Sequence, residues 1–139
     1  MIVNLQKKIA VNAKEFRPFA DRISVEIAEV GTREFSVAFV SDRRMTELNK
    51  MFRGKDSTTD VLSFPHEADK FDLNEENLGD IVISVERADL QARENGLTLE
   101  LEIKQLMLHG VLHLLGYDHE TDSGEMNKRE LELRDKLGI

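Results

Sequence analysis

The sequence predicts a small α/β or α+β sandwich formed as one domain over residues 1–139, and three observations carry that prediction. Short β-branched and aromatic runs, EFSVAFV at 34–40 and LGDIVIS at 78–84, alternate with segments of helical periodicity, as in layered folds. The length, 139 residues, is that of one domain. Hydrophobic residues at 40% against charged residues at 33% supply a core, which argues against disorder.

The elements follow in order. Residues 2–6 read as a first strand. Phe16, Ala20, Ile23, Ile27 and Val30 recur at helical spacing up to Gly31, with Pro18 marking either the start of that helix or a kink in it. Glu34 to Val40 reads as a strand. Ser41 or Asp42 caps a helix that turns Met45, Leu48 and Met51/Phe52 inward. Val61 to Phe64 is a short strand closed by Pro65, and the acidic segment Glu67 to Asn77 is a solvated loop. Leu78 to Ser84 is a buried strand, and Ser84 caps a helix ending at Asn95-Gly96. Thr98 caps the next helix, with Glu100 and Glu102 favourably placed in its first turn and a stop at Gly116. An amphipathic helix spans Ser123 to Lys136. The order of the strands does not follow from the sequence.

Composition removes several function classes. With no Cys, there are no disulfides, no thiol catalysis and no Cys-ligated metal. No stretch approaches 18 consecutive apolar residues, so no membrane span is expected. The start, MIVNLQKKIA, has its cations after a short apolar run and does not read as a signal peptide. Trp is absent and aromatics are 6%, which speaks against a broad base-stacking platform. The net charge of −8 speaks against non-specific nucleic-acid binding, so any RNA contact needs a local basic patch.

Three of the four histidines, His109, His113 and His119, fall in HGVLHLLGYDH. The helix carrying the first two is apolar almost all round and therefore buried. Its exceptions, Glu102, Gln105, His109, His113 and Gly116, share one stripe, which must face something polar. Two histidines four apart place their Cβ atoms about 5–6 Å apart on one face, close enough to converge on one ion. Gly116 can adopt a left-handed conformation and reverse the chain, so that His119 swings back to complete a three-nitrogen set. Three ligands leave a fourth position for water, as in catalytic zinc sites. One Zn2+ per chain is expected, although Ni, Co or Cu would also bind nitrogen ligands. The alternatives are a structural metal site or unrelated histidines.

The spacing is also that of metzincin peptidases, in which a Glu follows the first His as general base. Here that position is Gly110, explained either by close helix packing or by room beside the metal. The peptidase reading therefore lacks its base. Asp80 is a candidate to orient a ligand imidazole or to cap its strand; Asp118 and Glu120 flank His119. Tyr117 and Met126 read as packing residues, and His66 as incidental.

The second constellation is RGKDSTTDVLSFP, Arg53 to Pro65. Between residues 42 and 56, five basic residues against three acidic ones leave a net charge of +2. Arg53 can fork onto a phosphate with Lys55 as a point charge, and Ser57, Thr58 and Thr59 add hydroxyls. The alternative is an ordinary solvated turn.

RGKDSTTDVLSFP, LGDIVIS and HGVLHLLGYDH resemble, in order and spacing, the signatures of the bacterial YbeY family of endoribonucleases and rRNA maturation factors. The resemblance covers the whole chain. It implies an α+β domain with a short mixed sheet and a central histidine-bearing helix, with a zinc site similar to that of metalloproteases. It implies a single-strand-specific, metal-dependent endoribonuclease that matures rRNA, particularly the 16S 3′ end, and serves ribosome quality control. The implied zinc ligands are His109, His113 and His119. Arg53 and His113 are the expected catalytic residues, and Arg53 and Lys55 the expected substrate contacts. The expected partners are single-stranded ribosomal RNA and the ribosome or its proteins, not DNA or a membrane, and the expected location is the cytoplasm. The alternative function is a metal-stabilised ribosome-assembly or RNA-binding factor without chemistry; a zinc peptidase ranks below both.

Overall fold

Hydroxyl caps start three of the five α-helices among the described residues. Ser41, Ser84 and Thr98 accept hydrogen bonds from the backbone N–H groups of Arg44, Arg87 and Leu101, donors that the first turn of a helix otherwise leaves unsatisfied. The structure, a computed structural model, describes residues 1–67 and 76–139; most of the expected acidic loop lies outside the described residues. The strands are β1 (Ile2–Asn4), β2 (Glu34–Val40), β3 (Val61–Pro65) and β4 (Asn77–Ser84). The helices are α1 (Arg17–Glu26), α2 (Asp42–Arg53), α3 (Val85–Glu94), α4 (Leu99–Leu114) and α5 (Glu125–Leu137). Pro18 lies in the first turn of α1, where its missing N–H costs no hydrogen bond, so it starts the helix and does not kink it. The helix expected to run to Val30 ends at Ile27, which is extended. A 3-10 turn over Ala28–Val30 follows, and both Ile27 and Val30 remain buried.

The sheet order is β1-β2-β4-β3. The pairs β1–β2 and β2–β4 are parallel, and β3 runs antiparallel to β4 at the edge. Alternation along the strands gives the sheet two apolar faces. Val37, Phe39, Ile81 and Ile83 join the main core, whereas Val40 and Leu62 form a smaller core with Met45 of α2. The result is one small α+β domain.

Helix α4 is the spine of the main core. Ile103, Met107, Leu108, Val111 and Leu112 have no exposed surface, and each contributes about 1.5–3 kcal/mol relative to an exposed position. The helix contacts β3, β4, α1, α3 and α5. Two glycines let it lie close on the sheet. A Cβ on Gly110 would stand 2.9 Å from Ile81 side-chain carbons. A Cβ on Gly79 would stand 2.4 Å from the Phe64 carbonyl oxygen and 2.8 Å from a Leu114 methyl. Ser63 Oγ of β3 donates to the Gly110 carbonyl at 3.3 Å. Close packing therefore accounts for Gly110, and it fixes the histidine-bearing turn against the sheet edge.

One expectation about the core fails. Met51 and Phe52 do not turn inward; they are 67% and 58% exposed. Helix α2 covers only the corner built by Val40, Leu62 and Val82. β3 is the last strand of the sheet, so the final turn of α2 has no further strand to cover. Phe52 instead rests edge-on against Phe64, with ring centroids 5.0 Å apart.

Candidate metal centre

His109 and His113 project from one face of α4, with ring centroids 4.7 Å apart and Nε2 atoms 3.1 Å apart. The helix then ends in a Schellman motif. Gly116 takes φ 98°, its N–H donates to the His113 carbonyl at 3.0 Å, and the Tyr117 N–H donates to the Leu112 carbonyl at 3.1 Å. The reversal returns His119 to within 5.3 Å of the His113 ring and 5.7 Å of the His109 ring, centroid to centroid. One ring nitrogen from each of the three lies within 4.8 Å of the others. Tetrahedral ligation with metal–nitrogen bonds of about 2.0–2.1 Å requires nitrogens roughly 3.3 Å apart. The first pair already meets this spacing. These three imidazoles form a donor set that fits a divalent transition metal.

The return loop is held at both ends. The Asp118 carboxylate accepts from the Glu120 N–H at 3.0 Å, and Asp122 accepts from the N–H groups of Gly124 and Met126, each at 2.9 Å. Tyr117 packs against the core, as expected. Its hydroxyl donates to Glu29 at 3.2 Å, and Glu29 also takes Arg129 of α5 at 3.0 Å. Met126 is a core residue, 1% exposed.

The polar stripe of α4 faces α5. His109 Nδ1 lies 2.8 Å from Glu130 Oε1, and the other Glu130 oxygen is 3.6 Å from Arg134. Glu130 is buried, so a carboxylate with no partner there would be costly. Burial pulls its pKa up, but hydrogen bonding and charge from His109, with Arg134 and His113 behind them, outweigh this and hold it below the usual range. A carboxylate on Nδ1 leaves Nε2 free for a metal and fixes the ring's orientation. Glu130 was not singled out in the sequence, because nothing local marks it. Asp80, the carboxylate considered for this role, is exposed on β4. Deeper in the stripe, Glu102 is buried, and its carboxyl is raised by burial and by Asp60, against the pull of Arg134. Burial also lowers the pKa of His113; charge on His109 and His119 acts the same way, opposed by a backbone hydrogen bond with Tyr117 and by Asp118.

The three histidines open on a cavity of about 620 Å³ whose other walls include β3 and Arg53. Arg53 is exposed and has no ion pair among the described residues, so its guanidinium is available. Arg43 and Arg44 both contact Glu47, and Lys50 lies 3.9 Å from Asp56. Lys55 is exposed but does not line the cavity. Thr59 lines it. Thr58 does not: its hydroxyl is committed to Asp42 at 2.5 Å. Asp60, Asp118 and Glu120 also line the cavity, whereas His66 pairs with Asn77 at 3.3 Å outside it.

Fold and site together define a small α+β protein carrying a three-histidine centre built for a metal ion. The family described as "Endoribonuclease YbeY" matches residues 1–138. A protein of that name from Alkaliphilus metalliredigens is 41% identical across 100% of this chain and 95% of its own. One from Solibacter usitatus is 48% identical over 87% of this chain and 76% of its own. The solution structure of a Thermotoga maritima protein superposes with a TM-score of 0.66 at 30% identity, covering 99% of this chain and 89% of that one. The chain belongs to the YbeY family.

Proposed function

We propose that this chain is a metal-dependent endoribonuclease acting on single-stranded RNA, with residues 1–139 forming one catalytic domain. In this reading it matures ribosomal RNA, chiefly the 16S 3′ end, and serves ribosome quality control in the cytoplasm together with the ribosome or its proteins. One observation carries the reading: an uncommitted arginine and a three-imidazole metal set line the same cavity, in a chain whose relatives are named endoribonucleases. Zinc suits the all-nitrogen donor set.

When bound, the metal supplies Lewis acidity and water activation near neutral pH. His109, His113 and His119 hold it, and Glu130 fixes the His109 ring. Arg53 takes the scissile phosphate bidentately and offsets the charge that builds on it. Lys55, exposed two residues further on, holds a flanking phosphate as a point charge. Arg53 and His113 are the residues on which turnover depends.

The test compares metal-loaded wild type, His113→Ala and Arg53→Glu on single-stranded RNA. The expected result is cleavage by wild type alone, with the Arg53 variant within about 0.5 kcal/mol of wild-type stability because the residue is exposed. Equal residual cleavage by all three would mark the activity as a contaminant. Products ending in 5′-phosphate and 3′-OH would exclude attack by the RNA 2′-OH.

A second reading is a metal-stabilised RNA-binding or assembly factor without chemistry. Gly110 favours it, since the general base of similar peptidase sites has no counterpart there. The same glycine counts against peptidase activity: its packing on Ile81 leaves no room for a side chain.

A further inference from the structure

Helix α2 ends with two large apolar side chains in solvent, Met51 and Phe52, in a segment of net charge +2 within a chain of net charge −8. Phe52 is supported from beneath by Phe64, the two rings meeting edge to face at 68°. Phe64 is only partly buried, so the pair forms a small aromatic shelf. The shelf meets the metal cavity only through Arg53, the residue after Phe52: Phe52 and Phe64 do not line it, and alternation along β3 turns Phe64 to the α2 face, away from Ser63 and Pro65, which do. Packing of the core does not require Phe52 at this place.

We infer that Phe52 is a base-stacking residue, one that receives a nucleobase of the same RNA strand whose phosphate Arg53 holds. The inference rests on the function proposed above and adds a reason for strand selectivity. A base in a duplex has both faces covered by its neighbours, whereas an unpaired base can lay one face on an aromatic ring. Stacking is tolerant of sequence because every base has such a face. Continuity of the shelf with the phosphate-binding arginine, and the net positive charge of the segment carrying both, favour a nucleic acid as occupant over an apolar peptide. A single exposed ring offers one stacking face, which agrees with an aromatic content too low for an extended platform.

The test measures KM and kcat of the metal-loaded protein on a short single-stranded oligoribonucleotide, for wild type, Phe52→Leu and Phe52→Trp. Leucine keeps the apolar bulk over Phe64 and removes the π face; tryptophan restores it. Phe52→Leu is expected to raise KM by about 5- to 30-fold, corresponding to roughly 1–2 kcal/mol, with kcat little changed; Phe52→Trp is expected to match wild type. Oligonucleotides abasic at one position in turn supply the second arm. A single position should raise the wild-type KM by a similar factor and have no effect in Phe52→Leu, since the stacked pair is then already broken. An unchanged KM in Phe52→Leu, or additive losses for variant and abasic site, would overturn the assignment while leaving the nuclease reading intact, and the shelf would then belong to a protein partner. Wild type that fails to cleave single-stranded RNA at all overturns both.

Discussion

Glu130 settles the orientation of His109 from a helix 21 residues further along the chain, and no local pattern announces it. The spacing of His109, His113 and His119 was readable because helical geometry and a glycine turn convert sequence separation directly into space. The partner of a ring nitrogen is set by tertiary packing, so the nearest conspicuous carboxylate, Asp80, was considered and Glu130 was missed. Arg53 was singled out as an expected phosphate contact, and the structure places it on the cavity wall; its freedom from its neighbours emerged only once Arg43, Arg44 and Lys50 were seen to face Glu47 and Asp56. Replacing Glu130 with Gln keeps the side-chain shape and removes the charge. Metal affinity, measured by competition with a chelator, should fall about 10- to 100-fold. An unchanged affinity would reduce Glu130 to a packing residue.

Among the elements, starts were more legible than ends. The caps Ser41, Ser84 and Thr98 act on N–H groups three residues away, so sequence alone locates them. The end of α2 was misjudged because apolar periodicity records which side chains share a face, not how far the neighbouring sheet extends. Helix α4 was read correctly as buried, while the cause of Gly110 required coordinates. A methyl group there would meet Ile81 at 2.9 Å from more than one carbon, so rotating one terminal atom does not relieve it. Gly110→Ala gains about 0.5–1 kcal/mol of helix propensity and loses about 1–3 kcal/mol to overpacking. Urea denaturation should therefore show a net loss on the order of 1–2 kcal/mol, partly recovered by adding Ile81→Val. Stabilisation by Gly110→Ala alone would mean that α4 can slide on the sheet.

At the scale of the whole molecule, the metal is expected to act as a ligand of the folded state, stabilising it by about 4 kcal/mol at a free concentration 1,000-fold above its dissociation constant. This gain depends on pH with a definite sign. His113 has a lowered pKa in the metal-free fold, so above about 6.5 it is neutral in both folded and unfolded chains and costs nothing. As pH falls below that value the unfolded chain takes up a proton first, and the metal-free protein loses stability until the folded pKa is passed. Protonated imidazoles also reject metal. Melting midpoints with and without metal should thus both decline and converge as pH falls from 7 toward 5; a gap that stays constant would place the metal elsewhere. Sheet order and the union of α4 with α5 lay beyond the sequence because both depend on pairing between distant segments. That union has a consequence for synthesis. A nascent chain released from the exit tunnel only as far as His119 would display all three imidazoles while lacking the carboxylate that aims the first of them. Ion capture by a translating polypeptide is therefore expected to be weak until α5 has emerged and docked, so the three-histidine centre is completed late in the production of each molecule.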